Sequence, residues 1–98
     1  MNLFDYEIPT EGELFTALFE SDRLTINRIV SSDRLEPKCY CQEMDEWVLL
    51  LEGKASLRID TTLKTLTKGE SLFIPAHTPH EVVSVQKGTL WLALYIAV

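Results

Sequence analysis

The chain has 98 residues, of which 46% are hydrophobic and 24% are charged. These fractions are typical of a folded protein, and the length allows one domain around a single core. Nine Lys and Arg against fifteen Asp and Glu leave a net charge of −6, without the basic surface that nucleic-acid binding needs. The composition therefore predicts one domain, over residues 1–98, that does not bind nucleic acid.

Three further features lead us to expect neither a membrane partner nor a secretory signal. The longest apolar run, Leu90 to Val98, has nine residues, about half the length of a membrane-spanning helix. The first five residues contain neither the cationic nor the long apolar segment of a secretory signal. The only cysteines, Cys39 and Cys41, lie two positions apart, and an extended chain would separate them by about 7 Å, an awkward distance for a disulfide. We therefore expect a reduced, cytoplasmic protein.

The first predicted element is a short helix. Thr10-Glu11-Gly12-Glu13 has the form of a capping box at a helix N-terminus. Leu14, Leu18 and Phe19 then follow at helical spacing. The pattern predicts a helix from about residue 11 to residue 20, which must pack its apolar side on a larger element because it is too short to be stable alone.

The remaining predicted elements are strands. From Leu24 the hydrophobic period changes to two, and short apolar or alternating segments are separated by turn residues as far as the end of the chain. The predicted strands cover residues 24–30, 47–51, 55–60, 63–67, 71–74, 81–85 and 89–98. Short strands at regular spacing are typical of a small β-barrel or sandwich. The sequence thus predicts an all-β domain with a barrel from about residue 23 to residue 98 and one N-terminal helix.

Two spaced motifs lie within the strand region. Glu46 opens an apolar strand and is followed, after six residues, by Gly53. This pair resembles the end of the first motif of the cupin family. The second cupin motif is resembled by four residues at matching distances, with a histidine in place of the motif's second glycine: Gly69, Pro75, His77 and His80. The resemblance covers Cys39 to about Val85, and it implies a small jelly-roll barrel.

The cupin resemblance also implies a metal ion in the mouth of the barrel. In the family a first-motif His-x-His pair, the glutamate and the second-motif histidine bind the ion. Glu46 and His80 occupy the last two of these positions, but the His-x-His pair is missing. Depending on the spacing used, its positions fall either on Cys39 and Cys41 or on Tyr40 and Gln42.

Strand geometry favours one of these two alternatives without deciding between them. In an unbroken strand Tyr40, Gln42 and Glu46 point to the same face. The cysteines would reach that face only with a β-bulge, a feature that is frequent beside active sites. We therefore expect Gln42, Glu46 and His80 as metal ligands, with Cys41 as the main competitor. Thiolates would favour zinc or a similar ion, whereas Gln, Glu and His would bind a divalent ion more weakly.

Two other residues are candidates for the ligand pocket. Tyr40 and His77 are the two alternatives for a proton-transfer group at the pocket. His77 is either a further ligand or polar group at the mouth of the pocket, or a turn residue that faces solvent. If no metal is bound, Glu46 can pair with His80 instead.

Two functions follow from the resemblance. The first is a protein that holds a divalent transition metal (iron, nickel, manganese or zinc) in the barrel mouth and acts on or binds a small organic molecule. The second is a metal-free or structural cupin that binds a small ligand as a sensor or accessory module without catalysis. We also expect a homodimer, because the helix face and one face of the last strand exceed what a small barrel can cover. That strand face consists of Leu90, Leu92, Leu94 and Ile96.

Overall fold

The computed structural model describes all residues from 1 to 98. The chain forms eight β-strands, and no element is a helix that could cross a membrane. The strands are β1 (Glu13–Glu20), β2 (Leu24–Ser31), β3 (Asp45–Glu52), β4 (Lys54–Ile59), β5 (Thr62–Thr67), β6 (Ser71–Ile74), β7 (His80–Val85) and β8 (Thr89–Ile96). The seven strands predicted after residue 23 are confirmed, with boundaries that differ by at most two residues.

The strands form two antiparallel sheets that pack face to face. The larger sheet has the order β1-β2-β8-β3-β6, and the smaller has the order β5-β4-β7. Between them lies a core of apolar side chains, to which both sheets contribute: Ile29, Val48, Leu50, Ala55, Leu57, Leu66, Trp91 and Ala93. Alternate residues of β3 and β8 point into this core, so that one face of the larger sheet is covered by the smaller one.

The predicted N-terminal helix is wrong, because residues 13–20 form strand β1. This strand pairs along its length with β2, with Glu13 opposite Ser31 and Phe15 opposite Ile29. The capping-box residues have another role: Gly12 takes a φ of +67° and donates its N–H to the carbonyl of Arg34. A ten-residue segment with several aromatic and apolar residues is compatible with either period, and pairing with a distant strand overrides its local helix signal.

The turn after β3 requires the glycine of the first motif. Gly53 has a φ of +98°, and a Cβ atom at this position would lie 2.8 Å from the Cα of Thr89. An L-residue would therefore be strained by its backbone angle and would also collide with the start of β8. The turn at the end of β3, the strand that carries Glu46, thus packs directly against the start of β8.

The outward face of the larger sheet is also apolar. Leu92 and Leu94 of β8 lie opposite Leu49 and Trp47 of β3, and all four are half-buried. Leu90, by contrast, is fully buried and is unavailable to a partner, although it belonged to the predicted contact face. With no helix present, the other part of that predicted surface is the edge strand β1, on which Leu14, Phe15 and Phe19 are exposed.

Candidate functional site

The inner face of the barrel contains a cavity of about 80 Å³. Its wall is mainly apolar, with Ile29, Val48, Leu57, Ile74 and Trp91 among its residues. The polar groups come from four strands and one loop: Glu13, Tyr40, Gln42, Glu46, His80 and Tyr95. This inner cavity therefore brings together four of the predicted site residues, namely Tyr40, Gln42, Glu46 and His80.

Glu46 and His80 lie side by side in the inner cavity. Glu46 is the second residue of β3 and His80 is the first of β7, and their exposed fractions are only 7% and 8%. The Glu46 Oε1 atom lies 3.5 Å from His80 Nε2, which is an ion-pair distance. The geometry is not that of a hydrogen bond, and Glu46 Oε1 has no hydrogen-bond partner. Contact with the Glu46 carboxylate raises the pKa of His80, against the opposing effect of burial.

The His80 ring is oriented by the loop before β7. Its Nδ1 atom lies 2.9 Å from the carbonyl oxygen of Thr78. Because a carbonyl can only accept a hydrogen bond, Nδ1 carries the proton, and Nε2 of the neutral ring presents its lone pair to the cavity. The ring of Tyr40 stacks on the His80 imidazole, with the two ring centroids 5.8 Å apart. The imidazole is thus held in a single orientation by neighbours that are not candidate metal ligands.

Gln42 and Tyr40 reach the cavity because their loop is attached to β7. The backbone N–H of Tyr40 donates to the carbonyl of His80, and the N–H of His80 donates to the carbonyl of Tyr40. The Gln42 carbonyl accepts a further bond from the N–H of His77. In this register Tyr40 and Gln42 line the inner cavity with Glu46, although bends at residues 43 and 44 separate them from β3 where the sequence analysis assumed an unbroken strand, and the Gln42 Oε1 atom is buried without a partner.

The structure does not bring Cys41 or His77 into the site. Cys41 is exposed and lines neither the inner cavity nor the space beside it, because its parity is opposite to that of Tyr40 and Gln42. Cys39 is exposed as well. His77 is also exposed, in a turn with a φ of +63°, and it contacts the loop that carries Tyr40 and Gln42 through its backbone N–H, which donates to the Gln42 carbonyl. Of its two predicted roles, the geometry agrees with the turn residue that faces solvent.

A larger compartment opens beside the inner cavity. This vestibule has a volume of about 430 Å³ and shares Glu13, Phe15, Tyr40 and Val82 with the inner cavity. Charged groups of both signs line the rest of its wall: Glu11, Arg34, Glu36 and Lys38. The Nζ atom of Lys38 lies 4.8 Å from the centre of the Tyr40 ring, within the range of a cation–π interaction.

Two tyrosines of the site are unusually weak acids. Burial raises the pKa of Tyr40, and the carboxylates of Glu13 and Glu46 raise it further. Burial also raises the pKa of Tyr95 well above its ordinary value, with smaller contributions from the same two carboxylates. Both phenols therefore keep their protons at neutral pH and can donate hydrogen bonds to a bound molecule.

Sequence reasoning did not identify Glu13 or Tyr95 as site residues. Glu13 had been assigned to a helix cap, although its alternation with Phe15 on a strand would have placed both on one face. Tyr95 lies in the last predicted strand, and only its position opposite Glu46 in the β3–β8 pair shows that it faces the site.

Comparison with known proteins defines the class of this fold and site. The Cupin domain family matches residues 35–95, which is more than half of the chain. The chain therefore belongs to the cupin family and forms a small jelly-roll domain of that class. No curated protein matches it significantly.

Solved structures share the fold over nearly the whole chain. A protein from Ralstonia eutropha, provisionally described as a mannose-6-phosphate isomerase, is 32% identical with a TM-score of 0.91, over 100% of this chain and 97% of its own. A conserved protein of unknown function from Streptococcus pyogenes is 21% identical with a TM-score of 0.87, over 100% and 86%. An RmlC-like cupin from Shewanella frigidimarina is 20% identical with a TM-score of 0.80, over 97% and 88%.

Proposed function

We propose that this cupin holds a divalent transition metal in its inner cavity and binds a small polar organic molecule in the adjoining vestibule. The observation that supports the metal site most directly is the pair of buried oxygen atoms without hydrogen-bond partners, Gln42 Oε1 and Glu46 Oε1. Buried polar atoms are normally paired, and unpaired ones at one cavity suit a ligand. His80 Nε2, the ring nitrogen that the Thr78 carbonyl does not use, lies 3.5 Å from Glu46 Oε1, and in the neutral ring it would offer a lone pair to an ion at this position.

The donor set fits a divalent ion. One imidazole nitrogen, one carboxylate and one amide oxygen offer three protein ligands, the number that catalytic metal sites commonly use while they leave a position for water or substrate. The hydrogen bond from His80 Nδ1 to the Thr78 carbonyl is the type of outer contact that fixes a metal-binding histidine. Such nitrogen and oxygen donors suit iron, nickel, manganese or zinc. When bound, the ion would polarise an oxygen atom of the substrate or of water.

The residues around the donors would orient the bound molecule and exclude water. The inner cavity of about 80 Å³ is too small for most organic ligands, whereas the vestibule of about 430 Å³ lies in the usual range for small-molecule sites. Arg34 and Lys38 offer positive charge for an anionic group, and the Tyr40 hydroxyl offers a hydrogen bond. The description of the Ralstonia eutropha relative makes phosphorylated sugars the first compounds to test.

Metal binding is tested on the full chain after treatment with a chelator. Calorimetric titration and thermal unfolding with Mn²⁺, Fe²⁺, Ni²⁺ and Zn²⁺ are compared for the wild type, Glu46→Gln, His80→Leu and Gln42→Leu. At a hundredfold excess over Kd, binding adds about 2.7 kcal/mol. This corresponds to a rise in Tm of roughly 10–20 °C for a domain of this size. We expect Glu46→Gln and His80→Leu to lose this rise in Tm, and we expect Gln42→Leu to bind the metal more weakly than the wild type.

Cys41→Ser and His77→Asn are the matched controls, because both residues are exposed and neighbour the proposed ligands in sequence. Asparagine also tolerates the positive φ of position 77. Both controls should bind metal like the wild type. A loss of binding in Cys41→Ser would transfer the site to the cysteine, and the absence of stabilisation by any of the four ions would contradict the proposal.

A second function is favoured by the contact between Glu46 and His80. The two side chains lie 3.5 Å apart and can neutralise each other without a metal, and no three His, Cys, Asp or Glu side chains form a cluster that could hold an ion. The site would then bind a small ligand as a sensor or accessory module. If the site works without a metal, a ligand found by screening phosphorylated sugars would bind equally well with and without a chelator. If the site needs a metal, the same ligand would bind only when no chelator is present.

We further propose that the chain forms a homodimer through the outward face of its larger sheet. Trp47, Leu49, Leu92 and Leu94 form a continuous apolar patch there because they lie opposite one another on neighbouring strands. Patches of this kind on small proteins commonly mark an interface, and symmetric dimers are the most frequent assembly. The site lies on the other face of the sheet and would stay open in such a dimer.

A further inference from the structure

We infer that Glu13 is a proton-donating acid of this site, held in place by a hydrogen-bond chain from Trp91 through Ser31 and coupled to the charge in the inner cavity. The inference rests on the proposed function, since it concerns a molecule bound between the inner cavity and the vestibule. It adds a residue from β1, a strand that lies outside the two cupin motifs.

The position of Glu13 is fixed by buried neighbours. The Trp91 Nε1–H donates to Ser31 Oγ at 3.0 Å, and the Ser31 hydroxyl donates to Glu13 Oε2 at 2.6 Å. Ser31 is completely buried and Trp91 nearly so, so the bond between these two residues is shielded from water, whereas Glu13 at the end of the chain of hydrogen bonds is half-buried. These hydrogen bonds involve only the Oε2 atom of Glu13, so its Oε1 atom is available to a bound molecule.

Glu13 lies where the two compartments meet. It lines both the inner cavity and the vestibule, a property that Glu46 and His80 do not share. A molecule that occupies the vestibule and extends toward the proposed metal ligands must therefore pass beside this carboxyl group. Glu46 lines only the inner cavity, and Glu11 and Glu36 line only the vestibule, so Glu13 is the one carboxyl group at the junction of the two compartments.

The surroundings favour the protonated form of Glu13. Burial raises its pKa, the hydrogen bond from Ser31 lowers it, and the charge of Glu46 raises it again, with a net upward shift. A carboxyl group with a raised pKa keeps its proton to higher pH than an exposed one, which is the direction that a proton donor needs. The other titratable or charged groups around these two compartments come from β3, β7, β8, the loop before β3 and the vestibule wall: Glu46, His80, Tyr95, Tyr40, Glu11, Arg34, Glu36 and Lys38.

The test is an NMR titration of metal-free protein labelled with ¹³C at the glutamate carboxyl carbons and with ¹⁵N at the indole nitrogens. The Glu13 signal is assigned by its absence in Glu13→Gln. We expect its midpoint to lie above that of exposed Glu11, and we expect the indole signal of Trp91 to shift with the same midpoint. The indole response should vanish in Glu13→Gln and persist in the control Glu11→Gln.

Two variants test the coupling in opposite directions. Glu46→Gln removes a neighbouring negative charge and should move the Glu13 midpoint to lower pH, whereas Ser31→Ala removes a bond to the carboxylate and should move it to higher pH. A Glu13 that faced solvent, away from both Glu46 and Ser31, would show neither shift. A midpoint at or below that of Glu11, or one that is unchanged in Glu46→Gln, would overturn the inference. Because no metal is used, a failure of metal binding leaves this result readable and counts against the proposed function alone.

Discussion

The contact between Glu46 and His80 has an energy that can be measured by a double-mutant cycle. At their separation of 3.5 Å, two unit charges interact by roughly 5 kcal/mol at an effective dielectric constant of 20 and by roughly 1 kcal/mol in water. Since both side chains are more than nine-tenths buried, the coupling should lie well above the value in water, at about 2–4 kcal/mol.

The cycle compares the wild type, Glu46→Gln, His80→Leu and the double variant by urea unfolding at pH 6 in the presence of a chelator. Losses that do not depend on the pair, such as the bond from His80 to the Thr78 carbonyl, cancel in the cycle. A coupling free energy below about 0.5 kcal/mol, the usual range for independent sites, would refute the view that the two groups stabilise each other without a metal. The second function would then lose its support.

Three further predictions concern stability and assembly. Gly53→Ala should lower the free energy of unfolding by about 2–5 kcal/mol, because the strain of a positive φ and a clash with the Thr89 backbone add together. The matched variant Gly69→Ala has a φ of +86° but open space around it, so it should lower the free energy by only about 1–2 kcal/mol. Equal losses in urea unfolding would contradict this prediction. The pKa of Glu13 is raised in the folded state, so its contribution to stability is present below the unfolded-state pKa and is lost as the pH rises through the folded-state pKa. The Tm of the wild type should therefore fall over this pH range, measured from about pH 4 upward, and Glu13→Gln should make the fall smaller. An unchanged profile in the variant would contradict this prediction. Light scattering after size exclusion should give twice the chain mass of 11.2 kDa for the wild type and a smaller species for Leu92→Lys, and a wild-type mass of 11.2 kDa would refute the dimer.

The fold after residue 23 could be predicted because its strands are short, regularly spaced and bounded by turn residues. The two motifs also predicted that Glu46 and His80 converge, since each begins a strand that enters the barrel. Residues 13–20 could not be assigned in the same way. Their hydrophobic spacing fits a helix, and only their pairing with β2, which is a long-range interaction, makes them a strand.

The identity of the inward-facing loop residues was only partly predictable. Parity favoured Tyr40 and Gln42 over Cys39 and Cys41, but a bulge before Glu46 would have reversed the result. The structure contains a backbone bridge between Tyr40 and His80 that fixes the register, and no sequence pattern announces such a bridge. Glu13 was missed for a related reason, because its role depends on Ser31 and Trp91, which are distant in sequence.

The bridge between Tyr40 and His80 also makes the site adaptable. The two reciprocal hydrogen bonds join main-chain atoms of Tyr40 and His80. The loop that carries residues 40 and 42 would therefore stay attached to β7 whichever side chains stand at these two positions. Evolution can thus exchange the donors at these two positions without rebuilding the barrel. The same property offers a route for engineering: installing imidazoles at both positions would recreate the histidine pair that the family motif contains and this chain lacks.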